Sequence, residues 1–173
     1  MTSPTTACHT LIVVDPGQAP GYAVARRIGD DDSWALVEVG QSKGNRAFTT
    51  LASHWRDGPR TLVVEDQYLG YARTIIGLIR DAQDWVCCGR LLGYDCHRMY
   101  PNSWICKLGP GATRLKREAR KALARATCQC LGLDTSRCSD DMCDAVAIMV
   151  AAMRHHGLGE LTCPVNPAIF PRS

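Results

Sequence analysis

Two matched phrases set the strongest limit on how this chain folds. Leu11-Ile-Val-Val-Asp15 and Leu62-Val-Val-Glu65 each run an apolar, β-branched stretch into a carboxylate. Continuous apolar runs of this length are typical of strands buried on both faces. The two are therefore expected to be neighbours in a sheet and to deliver Asp15 and Glu65 to one edge of it. A third acidic station, Asp140-Asp141-Met-Cys-Asp144, opens a helical segment much later in the chain. Three acidic stations in one small domain point to a divalent-metal site.

The chain has 173 residues, enough for one domain with its own core. The core is expected over about 9–157, followed by an extended tail over 158–173 that carries three prolines. Hydrophobic residues make up 46% and charged residues 21%, an ordinary globular balance, and no apolar run approaches the ~20 residues of a membrane helix. The opening Met-Thr-Ser-Pro-Thr-Thr has neither the basic nor the apolar region of an export signal. The expectation is a soluble, cytoplasmic protein. A net charge of +3 identifies no partner by itself, so the local distribution of charge must.

Ten cysteines would read as a disulfide framework in a secreted chain. Without an export signal they read as reduced thiols, mostly small buried hydrophobes. Cys128, Cys130, Cys138 and Cys143 cluster, but the repeated Cys-x-x-Cys pairs that a structural zinc site would want are absent. Cys87, Cys88, Cys96, Cys106 and Cys163 offer nothing better.

The first half reads as strands separated by turns. Strands are expected over 9–15 and 21–27, joined as a hairpin through Pro16-Gly17 and Pro20-Gly21, with a third over 34–39 after the solvated turn Asp30-Asp31-Asp32-Ser33. A short helix is expected over 45–55 and a strand over 61–65. From Tyr71 onward Ala72, Ile75, Ile76, Ile79, Ala82 and Val86 recur at helical spacing, predicting an amphipathic helix that ends near 89–93. A brief strand over 96–100, a basic helix over 112–131 and a last helix over 139–156 complete the reading. The architecture is α/β or mixed α+β.

Asp144 heads Ala145-Val-Ala-Ile-Met-Val-Ala-Ala-Met153, which is apolar nearly all round and hence a buried helix. A carboxylate there is costly unless a cation or hydrogen bonds compensate. Asp141, three residues earlier, shares its face. Asp140, four earlier, does so too, and spacing alone leaves open which of the two joins Asp144. A simpler reading makes Ser139 or Asp140 an N-cap and the acids a complement to the helix dipole. It accounts for Asp140 but not for Asp144, which lies beyond the first turn. Oxygen-only ligands favour Mg²⁺ or Mn²⁺ over zinc. Two such ions ~4 Å apart support in-line displacement at phosphorus with water as nucleophile, which agrees with the lack of a Gly-x-Ser-x-Gly, Walker A or His-Glu-x-x-His motif.

Asp15-Pro-Gly followed by Gly21-Tyr22-Ala-Val, Val64-Glu65 after an apolar strand, and Asp141-x-x-Asp144-Ala145 opening the last helix together resemble the RuvC-like Holliday junction resolvases. The match spans about 10–156. Pro101-x-x-Trp104, Lys107 and the Gly-rich turn before a basic helix are similar to the corresponding segment of phage members of that family. The resemblance implies an RNase H-like fold with a five-stranded mixed sheet flanked by helices. It also implies a homodimer that nicks two opposed strands of a four-way junction, and Mg²⁺-dependent hydrolysis with two ions held by Asp15, Glu65, Asp141 and Asp144. The cysteine content and the additional Asp140 depart from the family pattern, and Asp140 is taken as a cap.

Six basic residues, Arg114, Lys116, Arg117, Arg120, Lys121 and Arg125, stand against one acid, Glu118. Leu115, Ala119, Ala122, Leu123, Ala126 and Cys130 are expected as the buried stripe of this helix, leaving Arg114, Arg117, Lys121 and Arg125 as one exposed row that, with Lys107, tracks a phosphate backbone. The alternative for an isolated helix is a solvated face. Tyr68-Leu69-Gly70-Tyr71 reads equally as a DNA or dimer contact and as packing. His97 and His155-His156 have no acidic partner suggested by spacing. Competing functions are a broader flap or fork nuclease, a transposase-like strand transferase, a sugar-kinase or actin-like nucleotide binder and a non-catalytic junction binder. The chain is short for the second and third, and the retained carboxylates speak against the last.

Overall fold

The computed structural model describes residues 8–27, 33–42, 46–67 and 73–162, with side chains in the last stretch described from residue 76. The acidic run 30–32, the segment 68–71, Ala72, Cys163 and the proline-bearing tail lie outside the described residues, as does the side chain of Ile75. Six strands and five helices follow in the order β1 (Thr10–Asp15), β2 (Gly21–Arg27), β3 (Ser33–Gln41), α1 (Ala47–Ser53), β4 (Arg60–Glu65), α2 (Arg73–Leu91), β5 (Asp95–Met99), α3 (Pro101–Leu108), α4 (Arg117–Cys130), α5 (Asp140–His156) and β6 (Glu160–Thr162). Short 3-10 turns occupy Ala112–Arg114 and Thr135–Arg137. None of the helices among the described residues is long and apolar enough to cross a membrane.

The strands form one mixed sheet in the order β5-β4-β1-β2-β3-β6. β1, β4 and β5 run parallel, and β2 runs antiparallel to both β1 and β3. Tight turns suffice for the antiparallel pairs, whereas parallel neighbours need crossovers, which α1 and α2 supply. The sheet has six strands where five were expected. β6 pairs parallel with β3 at Ser33, Trp34 and Ala35, held also by Trp34 Nε1–H donating to the Leu158 carbonyl at 2.6 Å and Thr162 Oγ1–H to the Trp34 carbonyl at 2.9 Å. Three residues carry no period that sequence can display, so this edge strand reads as the start of an extended tail.

Side-chain alternation divides the sheet's two faces. Leu11, Val13, Ala23, Ala25 and Val63 meet α3, α4 and α5 in one core, while Ile12, Val14, Val24, Leu62 and Val64 meet α1 and α2 in the other. Asp15 has the parity of Leu11 and Val13, and Glu65 that of Val63. Both acids therefore leave the sheet on the α5 face.

Three helix expectations change. α3 was not foreseen, the segment after the strand over 96–100 having been assigned no element; Pro101 takes the first helical position, where it sacrifices no hydrogen bond. α4 begins at Arg117, with Arg114 set apart on a 3-10 turn. Its buried positions are Ala124 and Cys128, and Ala119, Ala122, Ala126 and Cys130 are exposed, so the apolar stripe is rotated from the expected one. In α2 the inward positions include Ala82, Trp85 and Val86, whereas Ile76 is 64% exposed. The nine described cysteines are unpaired; Cys128, Cys138 and Cys143 are buried, but Cys87, Cys106 and Cys130 are exposed rather than small core hydrophobes.

Gly21, Ala23 and Ala25 form a small-residue track on β2 beneath α5. A methyl group added at Gly21 would stand 2.0 Å from the Asp141 carbonyl oxygen and 2.7 Å from the Met142 nitrogen. Both obstacles are backbone atoms, so neither can rotate away. Gly21→Ala is expected to lower stability by about 1–3 kcal/mol, as overpacking commonly does, by displacing the first turn of α5. Thermal unfolding checks this, and an unchanged Tm refutes the close approach.

Candidate active site

The site forms where the carboxyl ends of β1 and β4 meet the amino end of α5. Parallel pairing in register from Thr10 with Arg60 through Val14 with Val64 brings Asp15 and Glu65 out side by side. β5 leads directly into α3, which crosses this edge and inserts Trp104. Ser139 caps α5, its Oγ accepting from the Met142 N–H at 3.3 Å, which fixes the turn carrying Asp141 and Asp144. Asp140 is therefore not the cap, contrary to expectation.

Asp15, Glu65, Asp141 and Asp144 line one cleft of ≈ 690 Å³. Glu65 is only 8% exposed, and both of its oxygens have donors: Trp104 Nε1–H at 2.8 Å and Gln67 Nε2–H at 3.3 Å. Gln41 Nε2–H, which also donates to the Ala19 carbonyl at 2.8 Å, reaches Asp141 Oδ2 at 3.4 Å. These three donors were missed. Trp104 carried a signal in Pro101-x-x-Trp104, but nothing in spacing ties Gln41 to a helix 100 residues away. The neighbouring Asp66 is neutralised separately by Arg98 at 2.6 Å.

The carboxylates repel one another, and burial aggravates this. Burial first, then Glu65, holds the Asp15 carboxyl well above its ordinary range, and Asp15 shares a hydrogen bond with Glu65. Burial also raises Glu65, against the donation from Asp15 and Trp104. Burial, Glu65 and Asp141 push Asp144 up to about 7, and burial with Asp140 raises Asp141.

Among the described residues no three His, Cys, Asp or Glu side chains stand together as a finished metal centre. The donor chemistry nevertheless fits a hard divalent cation. The set is oxygen-only, and burial with the neighbouring Glu65 raises the Asp15 carboxyl, a repulsion that a cation would offset.

The same cleft is also lined by basic residues, Lys116, Arg117, Arg120 and Lys121. Lys107, Arg114 and Arg125 lie outside it. Arg120 closes the preceding turn, donating to the carbonyls of Leu115 at 2.9 Å and Thr113 at 3.2 Å. Lys121 and Arg125 both bind Asp140, at 2.6 and 2.8 Å. The expected row of Arg114, Arg117, Lys121 and Arg125 thus does not exist as one free face, because the rotated helix turns Lys121 and Arg125 toward α5. Lys116 and Arg117 remain exposed at the mouth. His97 and His156 gather at the other end of the sheet, beside a separate cavity of ≈ 330 Å³, where His97 does have an acidic partner, Asp95 at 3.0 Å.

Solved structures share this fold. Two structures of RuvC from Thermus thermophilus, one in complex with Holliday junction substrate, match with TM-scores of 0.62 and 0.63 at 16% and 17% identity; they cover 85% and 86% of this chain and 94% and 96% of theirs. The chain has a RuvC-like fold. The fowlpox virus Holliday junction resolvase matches with a TM-score of 0.53 at 13% identity, over 85% of this chain and 99% of its own. No family model and no curated protein matches the sequence.

The raised carboxyls make a prediction about pH. The folded state binds protons that the unfolded state has already released, so stability falls as pH rises. For Asp144 the window runs from about 4, where an unfolded Asp ionises, to about 7. Without divalent ions the protein is expected to lose up to ~1.4 kcal/mol per pH unit from Asp144 across this window, and Asp144→Asn to flatten the decline. Unfolding in chelator at several pH values measures it; an identical decline in the variant contradicts the assignment.

Proposed function

We propose that this protein is a divalent-metal-dependent endodeoxyribonuclease that resolves four-way DNA junctions, acting as a homodimer that nicks two opposed strands. The observation that carries the reading is the single cleft lined both by Asp15, Glu65, Asp141 and Asp144 and by Lys116, Arg117, Arg120 and Lys121. A phosphodiester needs both: cations to neutralise and orient its backbone, and carboxylates to hold the ions that act on the scissile bond. The match to a RuvC in complex with a Holliday junction supports the same substrate class.

In this reading Asp15, Glu65, Asp141 and Asp144 hold two Mg²⁺ or Mn²⁺ ions. When bound, such ions activate the attacking water and stabilise the leaving oxygen. Trp104 and Gln67 fix both oxygens of Glu65, and Gln41 steadies Asp141, so that ligands enter the cleft in set orientations. Lys116 and Arg117 meet the backbone at the mouth without reading bases, as selection by shape rather than sequence requires.

Asp15→Asn, Glu65→Gln and Asp144→Asn are each expected to lower cleavage ~10² to 10³-fold or more, the scale of losing charge stabilisation in a transition state, with junction binding retained. A four-way junction assay with and without Mg²⁺, alongside fork and linear duplex, tests this. Full cleavage by any of the three sinks the mechanism, and equal cleavage of forks makes the enzyme a broader branched-DNA nuclease.

Lys116→Ala with Arg117→Ala is expected to weaken binding to all DNA shapes and to reduce the salt slope by ~0.9 for each phosphate that is no longer neutralised. Titration at several salt concentrations measures the slope, and no change removes these residues from the interface.

A further inference from the structure

Asp140 is the first residue of α5, and its two carboxylate oxygens hold two cations of α4. Lys121 Nζ donates to Oδ2 at 2.6 Å and Arg125 Nη2 to Oδ1 at 2.8 Å. All three side chains keep contact with solvent, at 34% exposure for Asp140, 29% for Lys121 and 41% for Arg125. Lys121 also lines the cleft that holds the four site carboxylates, which Arg125 does not.

A carboxylate bridging a Lys and an Arg one helical turn apart presents two anionic oxygens, the arrangement that a phosphodiester offers with its two non-bridging oxygens. Solvent-exposed ion pairs are weak, so an anion of higher local charge density can take either cation at small cost. Asp140 differs from Asp141 and Asp144 in this respect. Its charge is already met by α4, which lowers its carboxyl below the usual range, whereas theirs is raised.

We propose that Asp140 occupies a phosphate position from within the protein: it holds Lys121 and Arg125 in the free state and yields Lys121, with Arg125 following, to a DNA phosphate entering the cleft. The inference rests on the nucleic-acid reading above. Asp140 then lowers affinity for every DNA by the cost of the exchange, and limits the use of these two cations to strands that reach the cleft. A fixed staple between α4 and α5 is the opposing reading, in which Lys121 never meets DNA.

The two are separated by binding of a fluorescent four-way junction and a linear duplex in chelator, so that cleavage plays no part, at several salt concentrations. Asp140→Asn is expected to tighten junction binding about five- to tenfold. Lys121→Ala with Asp140 intact is expected to reduce the salt slope by ~0.9, the value for one neutralised phosphate, and its affinity penalty is expected to grow about fivefold in the Asp140→Asn background.

Equal or weaker binding by Asp140→Asn overturns the proposal. So does an unchanged salt slope in Lys121→Ala, a result that stands even where Asp140→Asn fails to fold. Binding that shows the exchange but no preference for the junction over duplex revises the proposed function and leaves this inference intact. Failure to bind any DNA removes both.

Discussion

The first turn of α5 lies so close to β2 that Gly21 has no room for a methyl group, its would-be Cβ falling 2.0 Å from the Asp141 carbonyl oxygen. The geometry of the cleft follows from that contact. Asp15 and Glu65 are set by strand register and parity, which the sheet fixes independently. Asp141 and Asp144 are set by how far α5 descends onto the sheet. Small residues along β2 let the helix sit low enough for the two pairs of acids to border one cleft. Trp104, carried on α3 from the end of β5, then closes the edge by donating to Glu65 at 2.8 Å.

That arrangement concentrates negative charge in a poorly hydrated place, and the surrounding elements divide the task of answering it. Asp66 has Arg98 and Asp140 has Lys121 with Arg125. Of the four acids of the cleft, Glu65 has hydrogen bonds from Trp104 and Gln67 and Asp141 has one from Gln41, but no ion pair to any of the four is found among the described residues. Their carboxyls shift upward as a result. A structural ion-pair network would have lowered them, as happens at Asp140. The contrast between Asp140 and Asp141, one residue apart, is that between a carboxylate paired with cations and one left without them.

Much of this was legible from residues whose signal is local. The β1 and β4 phrases gave strand identity, adjacency and the acidic edge, because a continuous apolar run ending in a charge has few other solutions. The all-round apolar stretch after Asp144 gave a buried helix, and eight of the nine residues from Ala145 to Met153 are in fact buried. What was not legible depends on tertiary choice. Alanine is both a good helix former and a weak hydrophobe, so the alanines of α4 could not show its phase, and with the phase went the expected row of Arg114, Arg117, Lys121 and Arg125. β6 is too short for a pattern. Hydrogen bonds from Gln41 and Trp104 cross 100 and 39 residues of sequence, and polar side chains do not announce such partners.

The stability of the domain must come from elsewhere than the cleft. Carboxyls buried beside one another, a glycine with no clearance and polar donors reserved for Glu65 each cost free energy or specialise a residue that packing would use otherwise. The offset lies a few residues further along α5, where Val146, Ile148, Met149 and Met153 are at most 2% exposed and each contributes about 1.5–3 kcal/mol by burial. One helix thus carries the acids at its amino end and the core over the rest of its length. The acidic end cannot loosen independently of the buried part, because both belong to a single rigid segment packed on β1 and β2. A site built this way keeps its unfavourable charge in place by tying it to a fully buried stretch of the same helix.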